Sequence, residues 1–157
     1  MTPLRVLVAA PAWWPAVAFG GPVAAGRELV SRLVGRGHAV RVVTTTLRDA
    51  RKGQSFRSRH DLVDGAEVTY LATPVRYRWM GVTPTLPWAL ARQPCPDVVH
   101  LFGFRDPVTT GVATWARLRG IPYVFEPAGM FLPRLRKVAL KRALDATLCR
   151  GVAASAA

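Results

Sequence analysis

Two apolar runs near the start of the chain, LRVLVAA at residues 4–10 and AVRVVTT at residues 39–45, flank a loop, a glycine pair and one amphipathic stretch. That order constrains the fold more than any other feature. Two strands joined through a helix lie parallel in one sheet, and the crossover is nearly always right-handed. The first run is almost continuously apolar and stops at Pro11, as expected of a central strand covered on both faces. Between the runs, residues 19–37 read FGGPVAAGRELVSRLVGRG. Pro22 suits the first helical position, because it lacks the N–H that would be orphaned there. Val23, Gly26, Val30, Leu33 and Val34 share one helical face, Arg27, Ser31 and Arg32 lie toward the other, and Gly37 stands where a left-handed C-cap belongs. Gly20 and Gly21 either make a tight turn only or let the backbone approach a ligand at the N-terminus of the helix, a geometry that favours phosphate.

Strands and helices continue to alternate. Residues 47–64, LRDARKGQSFRSRHDLVD, are polar and basic without a clear period, which predicts a long basic surface loop. AEVTYLA at residues 66–72 predicts a third strand, and the TPVRYRW that follows adds an edge segment. TPTLPWALARQ, from Thr83, predicts a brief helix, and DVVHL at residues 97–101 a buried strand with Phe102, Gly103 and Phe104 in its exit loop. Asp106 is placed as an N-cap with Pro107 at the first position of a helix that runs to Gly120. YVFE then forms a strand ending at Glu126, followed by Pro127, Ala128, Gly129 and Met130 in a turn. Residues 133–150 predict a basic helix carrying Arg134, Arg136, Lys137, Lys141, Arg142 and Arg150. The pattern points to one α/β domain over residues 1–157, an open doubly wound, mostly parallel sheet. In such sheets ligands bind outside the carboxyl ends of the strands. Trp14 and Phe19, the glycine pair, residues 102–104 and residues 127–130 all follow strands, so they should converge on one side. The aromatics of the first loop either line a cleft there or cap the core.

The net charge of +13 admits a polyanion, an anionic membrane or a phosphorylated ligand as partner. However, 19 of the 22 basic residues are Arg, a usage that GC-rich coding also produces. Arg76, Tyr77, Arg78 and Trp79 interleave charge with rings in a way compatible with stacking on bases. No recognised nucleic-acid motif accompanies them, and nucleic acid is the least favoured partner. Cys95 and Cys149 have no partner at metal-ligand or redox spacing, so free thiols are expected, with no metal and no cofactor. No charge occurs between Val6 and Gly26, so a targeting segment enters the reckoning, with Arg5 ahead of the apolar run and an Ala16-Val17-Ala18 cleavage site. Pro11, Pro15, Gly20, Gly21 and Pro22 interrupt the run too often for a membrane span. A cytoplasmic protein, peripheral at the inner membrane face, is the expectation.

Three blocks, FGGP with its helix ending in GRGHAVRVVTT, then PDVVHLFGF, then RGIPYVFEPAGMFLP with the basic helix LRKVALKRAL, stand in the order found in one family. Together they resemble the N-terminal, Rossmann-like domain of retaining, family-4-like glycosyltransferases of the GT-B fold, which use nucleotide-diphosphate sugars. The resemblance is weakest over residues 47–94. It implies that Gly20 and Gly21 face the donor diphosphate, and that the loops bearing Trp14, Phe19, His100, Gly103, Phe104, Glu126, Pro127, Ala128, Gly129 and Met130 border the acceptor. Two positions depart from the family. The proline–histidine–glycine run is Pro127-Ala128-Gly129 here, and Ala128 cannot carry a proton; the His-x-His pattern is His100-Leu101-Phe102. His100 serves the site or is a structural residue of a buried strand. The resemblance also implies a second Rossmann-like domain that reads base and ribose and holds the donor phosphates. That domain has no counterpart in these 157 residues. The expectation is therefore an acceptor-side half, inactive as an isolated chain and completed by a C-terminal domain in trans. The alternative is a non-catalytic module for a nucleotide or phosphate ligand. Arg134, Arg136, Lys137 and Lys141 would face an anionic membrane carrying a lipid-linked acceptor, or the acceptor is a saccharide.

Overall fold

The computed structural model describes residues 2–48, 57–77 and 80–128, together with Arg142 and Ala146. The expected β-α-β unit is present: β1 (Arg5–Ala9), α1 (Gly21–Gly35) and β2 (Ala39–Thr45), with β1 and β2 parallel in the register Val6↔Val40, Val8↔Val42. Alternate residues of β1 serve two cores. Val6 and Val8 face α1 together with Trp13, Val30, Val42 and Val68, while Leu7 and Ala9 face the opposite layer. This is why the run needs no polar alternation.

Pro22 lies in the first turn of α1, one position later than expected, because Gly21 is the first helical residue and Gly20 the N-cap. At the other end Gly37 takes φ 84°, its N–H donates to the Val34 carbonyl at 2.8 Å, and the His38 N–H donates to Leu33 at 3.1 Å. Those two bonds form a Schellman cap, which turns the chain directly into β2.

Part of the expected basic loop is strand. β3 (Arg59–Val63) pairs antiparallel with β4 (Ala66–Leu71), and β4 lies parallel beside β2. Asp64 and Gly65, with φ 50° and 81°, make the two-residue turn between them, the left-handed pair that matches strand twist. Residues 49–56 of that segment lie outside the described residues. The edge segment expected near residue 75 is instead half of a separate two-stranded ribbon, β5 (Val75–Tyr77) with β6 (Met80–Val82). Next come α2 (Leu86–Ala91), β7 (Val98–Phe102), α3 (Pro107–Leu118) and β8 (Tyr123–Glu126). Asp106 caps α3 as its sequence requires, accepting from the N–H groups of Val108 (3.1 Å) and Thr109 (2.9 Å) and from the Thr109 hydroxyl.

The six-stranded sheet runs β3-β4-β2-β1-β7-β8 and is parallel except for β3. Helix α1 covers one face, and α2 and α3 pack on the other around Leu7, Val99, Leu101, Val108 and Val112. The chain leaves β1 in one direction, through β2 and β4, and returns to build β7 and β8 on the other side. The sheet is doubly wound, and its switch point lies between β1 and β7.

Candidate functional site

At the carboxyl ends of β1 and β7 a cavity of about 290 Å³ opens. Ala10, Pro11 and Ala12 enter it as the chain leaves β1, and Phe102 and Gly103 as it leaves β7. Ala18 and Phe19 come from a single 3-10 turn (Val17–Phe19), Pro22 and Val23 from the first turn of α1, and Ala128 from the loop after β8. Gly20 and Gly21 sit in the chain between the lining residues Phe19 and Pro22.

The wall is held by hydrogen bonds to neighbouring strands and within the loop. Thr45 Oγ1 donates to the Pro11 carbonyl (2.7 Å), Phe19 N–H to Ala16 (3.1 Å), and Gly103 N–H to the Glu126 carbonyl (2.9 Å). Behind it stands Trp13, 2% exposed, with its ring against α1 where Gly26 leaves room. A Cβ on Gly26 would lie 2.8 Å from Trp13 Cζ3. Gly20 adopts φ 77° and ψ −146°, a region essentially restricted to glycine. A Cβ on Gly20 or Gly21 would meet nothing within 4 Å. At Gly20 the backbone conformation demands glycine; at Gly21 the space in front is open.

The residues expected at the site divide into four groups. Phe19, Gly103 and Ala128 line the cavity, whereas Gly20 and Gly21 are adjacent in the chain to the lining residues Phe19 and Pro22. His100 and Glu126 are beside it rather than in it: Nε2 and Oε2 lie 3.1 Å apart, and the imidazole stacks on Phe102 at 4.5 Å. Pro127 joins that pair to Ala128. Trp14 and Phe104 point elsewhere. Trp14 lies under the Arg27 guanidinium at 4.2 Å, and Phe104 is buried in the α2–α3 core edge-on to Phe125. Gly129, Met130, Arg134, Arg136, Lys137 and Lys141 lie outside the described residues. Trp13 and Trp14 are chemically identical neighbours with opposite fates, and no local signal separates them.

Sequence reasoning missed most of the lining, since Ala10, Pro11, Ala12, Ala18 and Val23 carry no chemical signature. It also missed Arg105, which is 8% exposed, holds a left-handed φ of 61° and places its guanidinium 4.5 Å over the Phe104 ring. A charged residue between a strand-end aromatic and an N-cap was the available hint. Burial raises the neighbouring Asp106 carboxyl to about 6, against the bonds from Thr109 and Val108 that favour its charged form. Asp64 moves the other way, lowered by its hydrogen bond from Arg27, which ties the β3–β4 turn to α1.

A larger groove, about 780 Å³, lies between α2 and the β3–β4 edge and includes Trp88 and Leu62, 63% and 73% exposed. It borders Arg41 and Glu67 near the starts of β2 and β4, which pair with each other at 2.7 Å. The lining runs along β4 from Glu67 to Leu71 and, among the described residues, takes none from β1 or β7, so the groove lies apart from the switch point where doubly wound sheets place their ligands. Among the described residues no group of three His, Cys, Asp or Glu side chains is gathered as a metal site would require. Nor is any helix among them long and apolar enough to cross a membrane.

Compared with known families, residues 20–157 match the one described as glycosyl transferase 4-like domain. A comparison with curated proteins finds no match to the chain.

Proposed function

Since the chain belongs to the glycosyl transferase 4-like domain family, we propose that it forms the acceptor-side half of an enzyme transferring a sugar from a nucleotide-diphosphate donor to an acceptor. One observation carries this reading. The glycine pair opens the 15-residue α1 between Phe19 and Pro22, two lining residues of the switch-point cavity, and a Cβ on either glycine would meet nothing within 4 Å, so the positive end of the helix lies next to that cavity with open space at the pair. The donor diphosphate approaches Gly20 and Gly21, and the acceptor occupies the cavity beside them. Transfer with retention requires stabilisation of an oxocarbenium-like transition state and of the departing diphosphate. On this reading a second Rossmann-like domain supplies most of that stabilisation together with the base- and ribose-reading groups. His100 and Glu126, 3.1 Å apart, each stand two positions before a lining residue, Phe102 and Ala128 respectively.

The test is an assay of residues 1–157 with a panel of nucleotide sugars, alone and then with a complementary donor-binding domain in trans. Transfer only in the second case is expected. Turnover by residues 1–157 alone rejects the half-site reading, and no transfer in either case rejects the transferase reading. Tight nucleotide-diphosphate binding without transfer supports the non-catalytic module instead. Gly21→Ala sharpens the result. It adds a methyl in open space at a helical position, so the fold is unaffected, whereas donor use falls if the diphosphate packs on that backbone.

A further inference from the structure

We propose that the cavity between Phe19, Val23, Phe102 and Ala128 takes a flat apolar ring system of the acceptor, one or two fused rings in size. The inference rests on the acceptor-side reading above and names the chemistry of its substrate.

The lining decides the class. Its ten described residues are alanines, prolines, a glycine, a valine and two phenylalanines, and none of these has a side chain that donates or accepts a hydrogen bond. Several of its backbone groups already serve the fold, with the Pro11 carbonyl bonded to Thr45, the Phe19 N–H to Ala16 and the Gly103 N–H to Glu126. A phosphate or a sugar ring seated here would leave its water partners for too few replacements. Among the described residues no basic side chain contributes to this wall.

Size narrows the choice. About 290 Å³ corresponds to roughly ten water molecules at the ~30 Å³ each occupies in the liquid. It also stands at the lower end of small-molecule pockets. That accommodates a naphthalene-sized ring system, whereas an anchoring lipid chain needs a longer channel. Phe19 and Phe102 offer aromatic surfaces for such a ring. Ala128, at φ 48°, contributes only a methyl group and keeps the space open on the β8 side. The ring then lies beside Gly20 and Gly21, so a hydroxyl on its edge can meet the donor.

The experiment is a ligand-observed NMR titration of the protein with 2-naphthol, myo-inositol, 1-decanol and inorganic phosphate, without any sugar donor. Saturable binding of 2-naphthol is expected, at least roughly tenfold tighter than each of the others. Ala18→Trp, at an exposed lining position, fills the cavity mouth and should weaken 2-naphthol at least roughly tenfold while the thermal midpoint stays unchanged. Phe19→Ser provides the second variant, removing an aromatic wall without adding bulk, and should weaken the same probe. Equal or tighter binding of myo-inositol or phosphate overturns the proposal, as does naphthol binding that neither variant changes. Preference for 1-decanol overturns the ring in favour of a chain. The titration does not depend on transfer. A reconstituted enzyme that glycosylates only polar acceptors removes this inference and leaves the transferase reading intact, whereas specific naphthol binding without transfer in any pairing does the reverse.

Discussion

Gly26→Ala and Gly35→Ala make the same substitution in the same helix and should move stability in opposite directions. In α1, replacing glycine with alanine restricts the unfolded chain and stabilises the helix by up to about 1 kcal/mol. At Gly35 the new methyl meets nothing within 4 Å, so a gain of a few tenths to about 1 kcal/mol is expected. At Gly26 the methyl would lie 2.8 Å from Cζ3 and 3.2 Å from Cη2 of Trp13, with Phe102 Cε2 at 3.6 Å. Trp13 is fully enclosed and cannot swing into solvent, so the helix or the loop must shift; overpacking of this kind costs about 1–3 kcal/mol. Set against the propensity gain, Gly26→Ala should be destabilised by up to about 2 kcal/mol. At about 2–4 °C per kcal/mol for a chain of this size, the overpacking cost of about 1–3 kcal/mol separates the two variants by roughly 2–12 °C in thermal midpoint. Thermal and urea unfolding followed by far-UV circular dichroism gives the ordering. A Gly26→Ala protein as stable as Gly35→Ala would refute the close packing of α1 on Trp13. Because Trp13 backs the wall formed by Pro11 and Ala12, Gly26→Ala should also weaken 2-naphthol binding, and Gly35→Ala should not.

Three further outcomes follow from other parts of the molecule. Asp106 is raised by burial from 3.8 to about 6, so between these values the folded chain holds a proton that the unfolded chain has released. Its contribution is full below about pH 4 and is lost as pH rises through about 6, by at most about 3 kcal/mol; Asp106→Asn keeps an N-cap acceptor and should flatten that slope in urea titrations at pH 4–7. Asp97 is lowered to about 2 by hydrogen bonds from the Arg5 side chain and backbone, so its contribution is present above pH 4 and lost as pH falls through about 2. Asp97→Asn should therefore be slightly less stable than the parent at neutral pH, with the difference shrinking in acid and at high salt. Finally, association through Arg134, Arg136, Lys137 and Lys141 predicts vesicle binding that rises with anionic-lipid content, and co-sedimentation insensitive to that content would rule it out.

Local chemistry alone determined a large part of this fold. The strand-helix-strand order of β1, α1 and β2 and the strand YVFE follow from the apolar patterning of each segment, and the Asp106 cap with Pro107 and the turn at Gly37 from interactions between residues a few positions apart, which the sequence states directly. The glycine pair was legible for the same reason, since a strand, a turn and a helix start are consecutive in the chain. Tertiary structure decided the rest. RHDLV at residues 59–63 carries no buried alternation and is strand because the free edge of β4 and the Asp64-Gly65 turn hold its backbone, an interaction that side-chain periodicity does not encode. The cavity is built from alanine, proline, valine and phenylalanine gathered from both sides of the switch point, residue types with no chemical signature until strand order brings them together. Trp13 and Trp14 show the limit most plainly. Adjacent and identical, one is enclosed behind the cavity wall against Gly26 and the other lies under the Arg27 guanidinium, because only the packing of a helix onto a loop can tell them apart.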